Sequence, residues 1–423
     1  MTLLQIAGQF FRRWVGASLL AGPVALCCLL HSGVALAADN LVVSFMISSG
    51  NQRTAWEIEV IKKFRDANPD ITVTQIVRAQ ELYKSGFTSM LQTEAVDVAF
   101  WFAGERLNQV VDQNLLRPMD DPVLKVAMAR NFVDSTLAAT SLRGNAYGLP
   151  LSYYGWGFYY RKSLFASLGL RPPTQWAEFL ELGRKLKAAG IAPTAVGAAE
   201  GWPAAAWFDY LNLRLNGIEF HRKLLSGDAK FTEPKVREVL LQWKRLQELG
   251  FFMPETLDKS WDAPLPFFYR NLVGVVLMGG FASAKFPPQL AQDIGFFPFP
   301  AMAAQVPQFE DAPLDILVLP RNGKNPEAAK RFLLFLSQSA VLNTYNNKVN
   351  QLSPLRSFQA SDNNAGEVQA LQSAKAIAFY FDRDAKPYLV EPAFAAFKQF
   401  MAAPFDVDKA IGALDKGSIH PAR

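Results

Sequence analysis

Five of the eight tryptophans that follow residue 37 (Trp101, Trp156, Trp202, Trp207 and Trp261) stand in or beside loops that follow strand-like runs. An indole face shown at a loop stacks on the apolar C–H face of a sugar ring, so the chemistry these positions offer is carbohydrate binding. Hydrogen-bonding groups accompany them: Glu105 and Arg106 just past Trp101, Glu200 before Trp202, Asp209 after Trp207. A carboxylate accepts from two adjacent hydroxyls and a guanidinium donates to a second pair, which suits a polyol. Other chemistries find fewer residues. Cys27 and Cys28 both precede residue 38, and the histidines beyond it are His221 and His420, so a thiolate or His-based metal centre and a His-dependent triad lack members. No metal or cofactor is implied.

The first 37 residues hold no Asp or Glu, and Arg12 and Arg13 precede an apolar stretch from Trp14 to Leu30 that leads to Ala35-Leu36-Ala37. That pattern is a secretory signal peptide over 1–37 with a small-x-small cleavage site, and it places the protein in the periplasm. A membrane anchor is the competing account of the apolar run. Lipidation at Cys27 is a lesser one, because bulky Leu26 sits where a small residue is wanted. Removing the two arginines takes the net charge from +5 to +3, too little for an electrostatic grip on nucleic acid. Half of the chain is apolar, so a large core rather than disulfides must stabilise it.

The elements that must position these residues alternate. Leu41–Met46 reads as a strand, a helical run around Trp56 to Ala67 ends at Asn68-Pro69-Asp70, and Ile71–Val73 is a second strand. A helix from about Glu81 to Thr93 leads into the buried-strand run Asp97–Trp101. Such alternation implies a mostly parallel sheet covered on both faces. Leu149 to Gly157 is extended and aromatic, which suits a crossing between two lobes, and Leu314–Leu319 is a second crossing candidate. Thr174 is placed to cap a helix reaching Ala189, Pro203 opens one that Gly217 closes, and Pro234 opens one ending at Gly250. Val273–Met278 is a strand stopping at Gly279-Gly280.

Seven stretches carry a family resemblance: Phe64 to Ile71, Asp97 to Gly104, Tyr147 to Pro150, Tyr159 to Lys162, Trp176 to Phe179, Met278 to Phe281, and Leu314 to Pro320. In this order they resemble the carbohydrate-binding solute receptors of bacterial ABC importers, the group that includes the maltose-binding protein. The resemblance implies an α/β, two-lobe periplasmic-binding-protein fold with hinge strands crossing between the lobes. Lobe I is expected over 38–150 and 315–352, and lobe II over 151–314 and 353–423. It also implies a monomer that captures a mono- or oligosaccharide, hands it to permease subunits in the inner membrane, and catalyses nothing.

The resemblance puts Trp101, Glu105 and Arg106 at the cleft, because the maltose type has an acid and an arginine just after its equivalent tryptophan. It aligns Tyr154 with a ligand-contacting acid, a departure that leaves the bonding pattern open; strand alternation sets Trp156 on the same face and Tyr153 opposite. Ser49, in the loop Ser48 to Asn51, faces the ligand in the family, although a plain Ser/Gly turn accounts for the composition equally well. Glu200, Trp202, Trp207 and Asp209 surround a helix start; Trp207 shares a face with Tyr210 and Leu211, which favours core for some of them. Gly280 and Phe281 end a strand where relatives place an aromatic residue, and Asp315 is a carboxylate inside an apolar run that needs a partner. Asp382-Arg383-Asp384 near the C-terminus is within reach of the site, although a solvated charge cluster is the readier account. Two other functions compete: an exported glycoside hydrolase using Glu105 with Asp209 or Glu200 across the cleft, and the same fold holding a polyamine, a metal chelate or glycerol phosphate.

Overall fold

The computed structural model describes residues 39–361 and 364–418; the signal-peptide reading of 1–37 and His420 fall outside them. Two sheets organise the chain, each with its own hydrophobic cluster. In the first, Asp39–Ile47 is flanked in parallel by Ile71–Ala79 and Val98–Phe102. Leu314–Pro320 then returns from far along the chain and runs antiparallel to Val98–Phe102, Leu116–Arg117 and Gly148–Tyr153. The mostly parallel sheet expected from the alternation is therefore corrected to a mixed one. The returning strand arrives from the short strand Phe309–Asp311, not from a helical crossover, so nothing forces it parallel. The second sheet runs in the order Ile294–Phe297, Trp156–Arg161, Val273–Gly279, Ala192–Thr194, and only its last pair is parallel.

Gly148–Tyr153 belongs to the first sheet and Trp156–Arg161 to the second, so the chain passes between them through Tyr154 and Gly155. The second passage runs from Phe309–Asp311, paired with Ala376–Ala378, into Leu314–Pro320. Within Trp202–Ser226 two helical segments meet at Gly217, which closes the first as expected: that glycine takes φ 77° and ψ 172°, a non-helical conformation open to a residue without Cβ, and a second helix follows directly. The helix Trp176–Ala188 is capped one residue later than expected, by Gln175, while the Glu178 carboxylate accepts from the amides of Thr174 (2.8 Å) and Gln175 (3.1 Å).

Arg214 on the kinked helix joins it to the second passage. Its Nη2 donates to Glu310 at 2.6 Å and its Nε to the Phe299 carbonyl at 3.0 Å, with both side chains of the ion pair almost wholly buried. Removing one partner of a buried pair leaves the other charged in a medium that solvates it poorly. Arg214→Leu is accordingly expected to lower unfolding free energy by about 3–5 kcal/mol in urea titration, whereas the exposed Arg143–Asp112 pair is expected to contribute less than about 1 kcal/mol.

Candidate functional site

Elements of both sheets converge on one narrow cavity, walled by Tyr154, Trp156, Trp202, Phe281, Tyr380 and Phe102, with Asp315, Asp382, Arg383 and Lys84 among its polar groups. Each ring has a structural reason for being there. Tyr154 and Trp156 flank the glycine of the first passage, Trp202 starts the long helix, and Phe281 follows the end of Val273–Gly279. The rings brace one another. Trp156 stacks on Tyr380 at 4.5 Å, Phe281 meets Tyr154, Trp156, Trp202 and Trp261 edge-on at 5.2 to 5.9 Å, and the Tyr380 hydroxyl donates to the Trp202 carbonyl. The indole N–H groups of Trp156 and Trp202 are buried and meet no protein acceptor.

The polar groups form a charged wall opposite these rings. Asp382 accepts from Arg106 Nη2 at 2.7 Å and from Arg383 Nε at 3.1 Å. Burial alone would raise its carboxyl, but Arg106, then Arg383 and Lys84, hold it well below the usual carboxylate range. Arg383 lies 3.3 Å over the face of Phe102 and keeps a buried Nη1 without a protein partner. Asp315 Oδ1 is likewise buried and unpartnered, and burial pushes this carboxyl up to about 7, against the pull of Arg383 and a bond from Ser152. Gln351 adds a buried Oε1 without a partner. Buried polar atoms that the protein leaves unmet are the groups a ligand is built to meet.

Of the residues singled out in the sequence, Tyr154, Trp156, Trp202, Phe281 and Asp315 line this cavity, and Tyr153 faces the opposite side. The others do not. Trp101 points away from it: its ring stacks on Phe87 at 3.5 Å in the core, and Phe102, the next residue of the strand, takes the cavity side. Ser49 spends its hydroxyl capping a helix through the Gln52 amide at 3.1 Å, and Ser48 lines the cavity instead. Glu105 is held by Lys386 at 3.0 Å, and Arg106 acts behind the wall, through Asp382. Glu200 accepts from the Trp261 amide at 3.1 Å and so supports the aromatic cluster from outside. Trp207 is fully buried against Phe158 and Phe252, as its helical face foretold. Asp209, equally buried, binds the Phe381 amide at 2.8 Å. Gly280 contributes backbone only, donating to the Gly155 carbonyl at 3.0 Å. Asp382-Arg383-Asp384 is the reverse correction: Asp382 and Arg383 are buried and line the cavity, and Asp384 is half-buried. The flanking Phe379-Tyr380-Phe381 was the signal: charges set against three consecutive rings are placed where rings are buried.

A cavity lined from two sheets, shut around rings and unmet polar atoms, defines a binding protein that encloses a small solute. The sequence profile of the bacterial extracellular solute-binding proteins matches residues 48–341, and the chain belongs to that family. Its relatives include an uncharacterised extracellular-binding protein of an ABC transporter from Pyrococcus horikoshii, 24% identical over 313 residues that cover 71% of this chain and 68% of the relative. Among solved structures it is similar to the bacterial solute receptor AcbH, described as having an exclusive preference for β-D-galactopyranose, at 26% identity and a TM-score of 0.84 over 90% of this chain and 97% of that one. A chitin oligosaccharide binding protein shares the two-lobe fold with a TM-score of 0.81 at 19% identity, over 90% of this chain and 100% of that one. Among the described residues no helix is long and apolar enough to cross a membrane.

Asp315 yields a test of the cavity's electrostatics. Its folded pKa stands above the unfolded value of 3.8, so its contribution to stability is complete below that value and is lost as pH rises through about 7. Asp315→Asn is therefore expected to melt higher, relative to the native protein, at pH 8 than at pH 5; equal differences at the two pH values would show that Asp315 does not titrate as a buried acid.

Proposed function

We propose that this protein is a periplasmic receptor, acting as a monomer, that closes on a single hexopyranose and delivers it to the membrane subunits of an ABC importer. The observation that carries this reading is the pairing of ring faces with unmet polar atoms across one small cavity. Covering about 100 Å² of apolar sugar face contributes on the order of 2–3 kcal/mol. Hydroxyls supply donors for Asp315 and Gln351 and acceptors for Arg383 and the two indole N–H groups, and each such group left unmet in a bound complex costs about 1–3 kcal/mol. Stacking thus sets affinity, and the polar wall sets which epimer is held.

A single ring suits the tight enclosure, in which Trp156 is 2% and Trp202 4% exposed. The likeness to AcbH makes galactose the first sugar to test. The partition into lobe I, 38–150 with 315–352, and lobe II, 151–314 with 353–423, is supported by the two hydrophobic clusters, which meet along the two passages. A ligand touching both sides then favours the closed arrangement by its differential affinity, which lets a permease tell loaded from empty receptor. The carboxylates imagined for a glycoside hydrolase, Glu105, Glu200 and Asp209, do not line the cavity. A polyamine finds Asp382 already neutralised by two guanidinium groups.

A thermal-shift and calorimetric panel of hexoses, pentoses and oligosaccharides on the mature protein is expected to give one tight monosaccharide, stoichiometric binding and no products; turnover of a glycoside, or no sugar bound, would refute the reading. Trp202→Ala is expected to weaken binding by about 30-fold or more, since roughly 2–3 kcal/mol of stacking is removed at about 1.4 kcal/mol per tenfold. Trp101→Phe, a core change, is expected to lower the melting temperature while leaving sugar affinity within about threefold of native.

A further inference from the structure

We infer that Glu367 is a positioning residue for the sugar site, its carboxyl holding from behind the two backbone turns that carry three of the cavity's aromatic walls. This deepens the sugar reading given above and rests on it. Glu367 sits on the helix Ala365–Ser373, is 3% exposed, and is separated by more than 200 residues from the segment it binds. Its Oε1 accepts the Gly155 amide at 2.5 Å. Gly155 stands between Tyr154 and Trp156, so that bond fixes the point where the chain passes between sheets and aims both rings.

The second turn is held by steric fit. A Cβ built on Gly280 would stand 2.6 Å from Oε1 and 2.9 Å from Oε2 of Glu367, and one on Gly155 would stand 3.1 Å from its Cγ. At Gly280 the carboxyl occupies the space a side chain would fill, and at Gly155 the methylene stem of Glu367 packs tightly against it. Gly280 in turn donates to the Gly155 carbonyl at 3.0 Å and precedes Phe281, which packs edge-on against Tyr154 and Trp156. Carboxyl, two glycines and three rings form one unit, of which only the rings reach the cavity.

The groups that face this carboxyl are the Gly155 amide and the phenols of Tyr153 on one strand and Tyr159 on the next, both of which it pushes upward along with their own burial. Burial raises the Glu367 carboxyl to about 8, opposed by the Gly155 amide. It is thus a neutral acid at pH 7 and acquires a charge in a buried setting as pH rises past 8. Ionisation strengthens the bond from the Gly155 amide but leaves a charge in a buried setting, and where that burial cost wins the carboxylate shifts toward water, which is expected to loosen the two turns and the grip on sugar together.

The test uses the mature full-length protein, galactose and the other monosaccharides of the panel, and the variants Glu367→Leu and Glu367→Gln. Leucine removes the acceptor; glutamine keeps it and cannot ionise. At pH 6.5 the leucine variant is expected to bind at least tenfold more weakly and the glutamine variant to recover affinity to within about threefold of native. Between pH 7 and 9 native affinity is expected to fall while that of the glutamine variant does not, a difference that isolates Glu367 from Asp315, which titrates in both. Native-like affinity in the leucine variant, or the same decline with pH in native and glutamine proteins, would overturn the inference. Should the leucine variant fail to fold, the comparison of pH profiles decides alone. Should the native protein bind no sugar, the receptor reading falls by itself, and the positioning role is judged from the near-ultraviolet circular dichroism of the aromatic cluster, which is expected to change between pH 7 and 9 in the native protein but not in the glutamine variant, and which an idle Glu367 would leave alike in both.

Discussion

Where two sheets exchange strands, a single layer of backbone has to serve two faces, and the alternation of its side chains decides what each face becomes. Tyr154 and Asp315 point into the cavity of rings, while their neighbours Tyr153 and Leu314 point the other way into a larger groove walled mainly by aliphatic side chains. Gln351 and Leu352 divide in the same manner, as do Tyr380 and Phe379. An extended chain has a side-chain period of two, so polar and aromatic chemistry in front and aliphatic packing behind come from one layer without a dedicated wall. A slip by one residue would exchange the faces, which is why register here is fixed by partners from distant sequence, Glu367 on Gly155 and the Tyr153–Leu352 bridge.

Charge is handled differently on the two sides of the cavity. Asp382 is kept ionised by Arg106 and Arg383, so one carboxylate answers two guanidinium groups and an unpartnered Nη1 remains to meet a ligand. Asp315 is instead driven upward by burial; Glu367 is driven up likewise but lies behind the rings and does not reach the cavity. A fixed ionic wall offers a constant field, whereas a neutral acid donates a hydrogen bond at no cost of burying charge. Together they let a buried site recognise an uncharged polyol, which itself presents both donors and acceptors.

Much of the scaffold was legible in the sequence because it rests on local rules. Asn68-Pro69-Asp70 ended a helix and Val273–Gly279 stopped at its glycines, since proline and glycine act through backbone geometry within a residue or two. The rings of Tyr154 and Trp156 fell on a shared face through strand period alone. Trp101 misled for the same reason: a strand end at a cleft shows one of two successive residues, and without knowing which side held Phe87 the larger ring attracted the assignment. Gly217 closed its helical segment as expected, although a second helix begins directly beyond it.

What stayed hidden depends on contacts between distant segments. Nothing near Glu367 marks it as buried, since its short helix mixes polar residues with small and apolar ones and its role exists only once Gly155 and Gly280 are brought against it. The same holds for Asp209, whose carboxylate supports the Phe381 amide and through it the turn that presents Tyr380, Asp382 and Arg383. Both were within reach of a different question, namely where the strain of an acid in an apolar setting is relieved. For Asp315 that question pointed at the cavity directly. For Asp209 and Glu367 the relief comes from main-chain amides one layer behind it, and an acid that binds an amide there sets the aim of the rings in front.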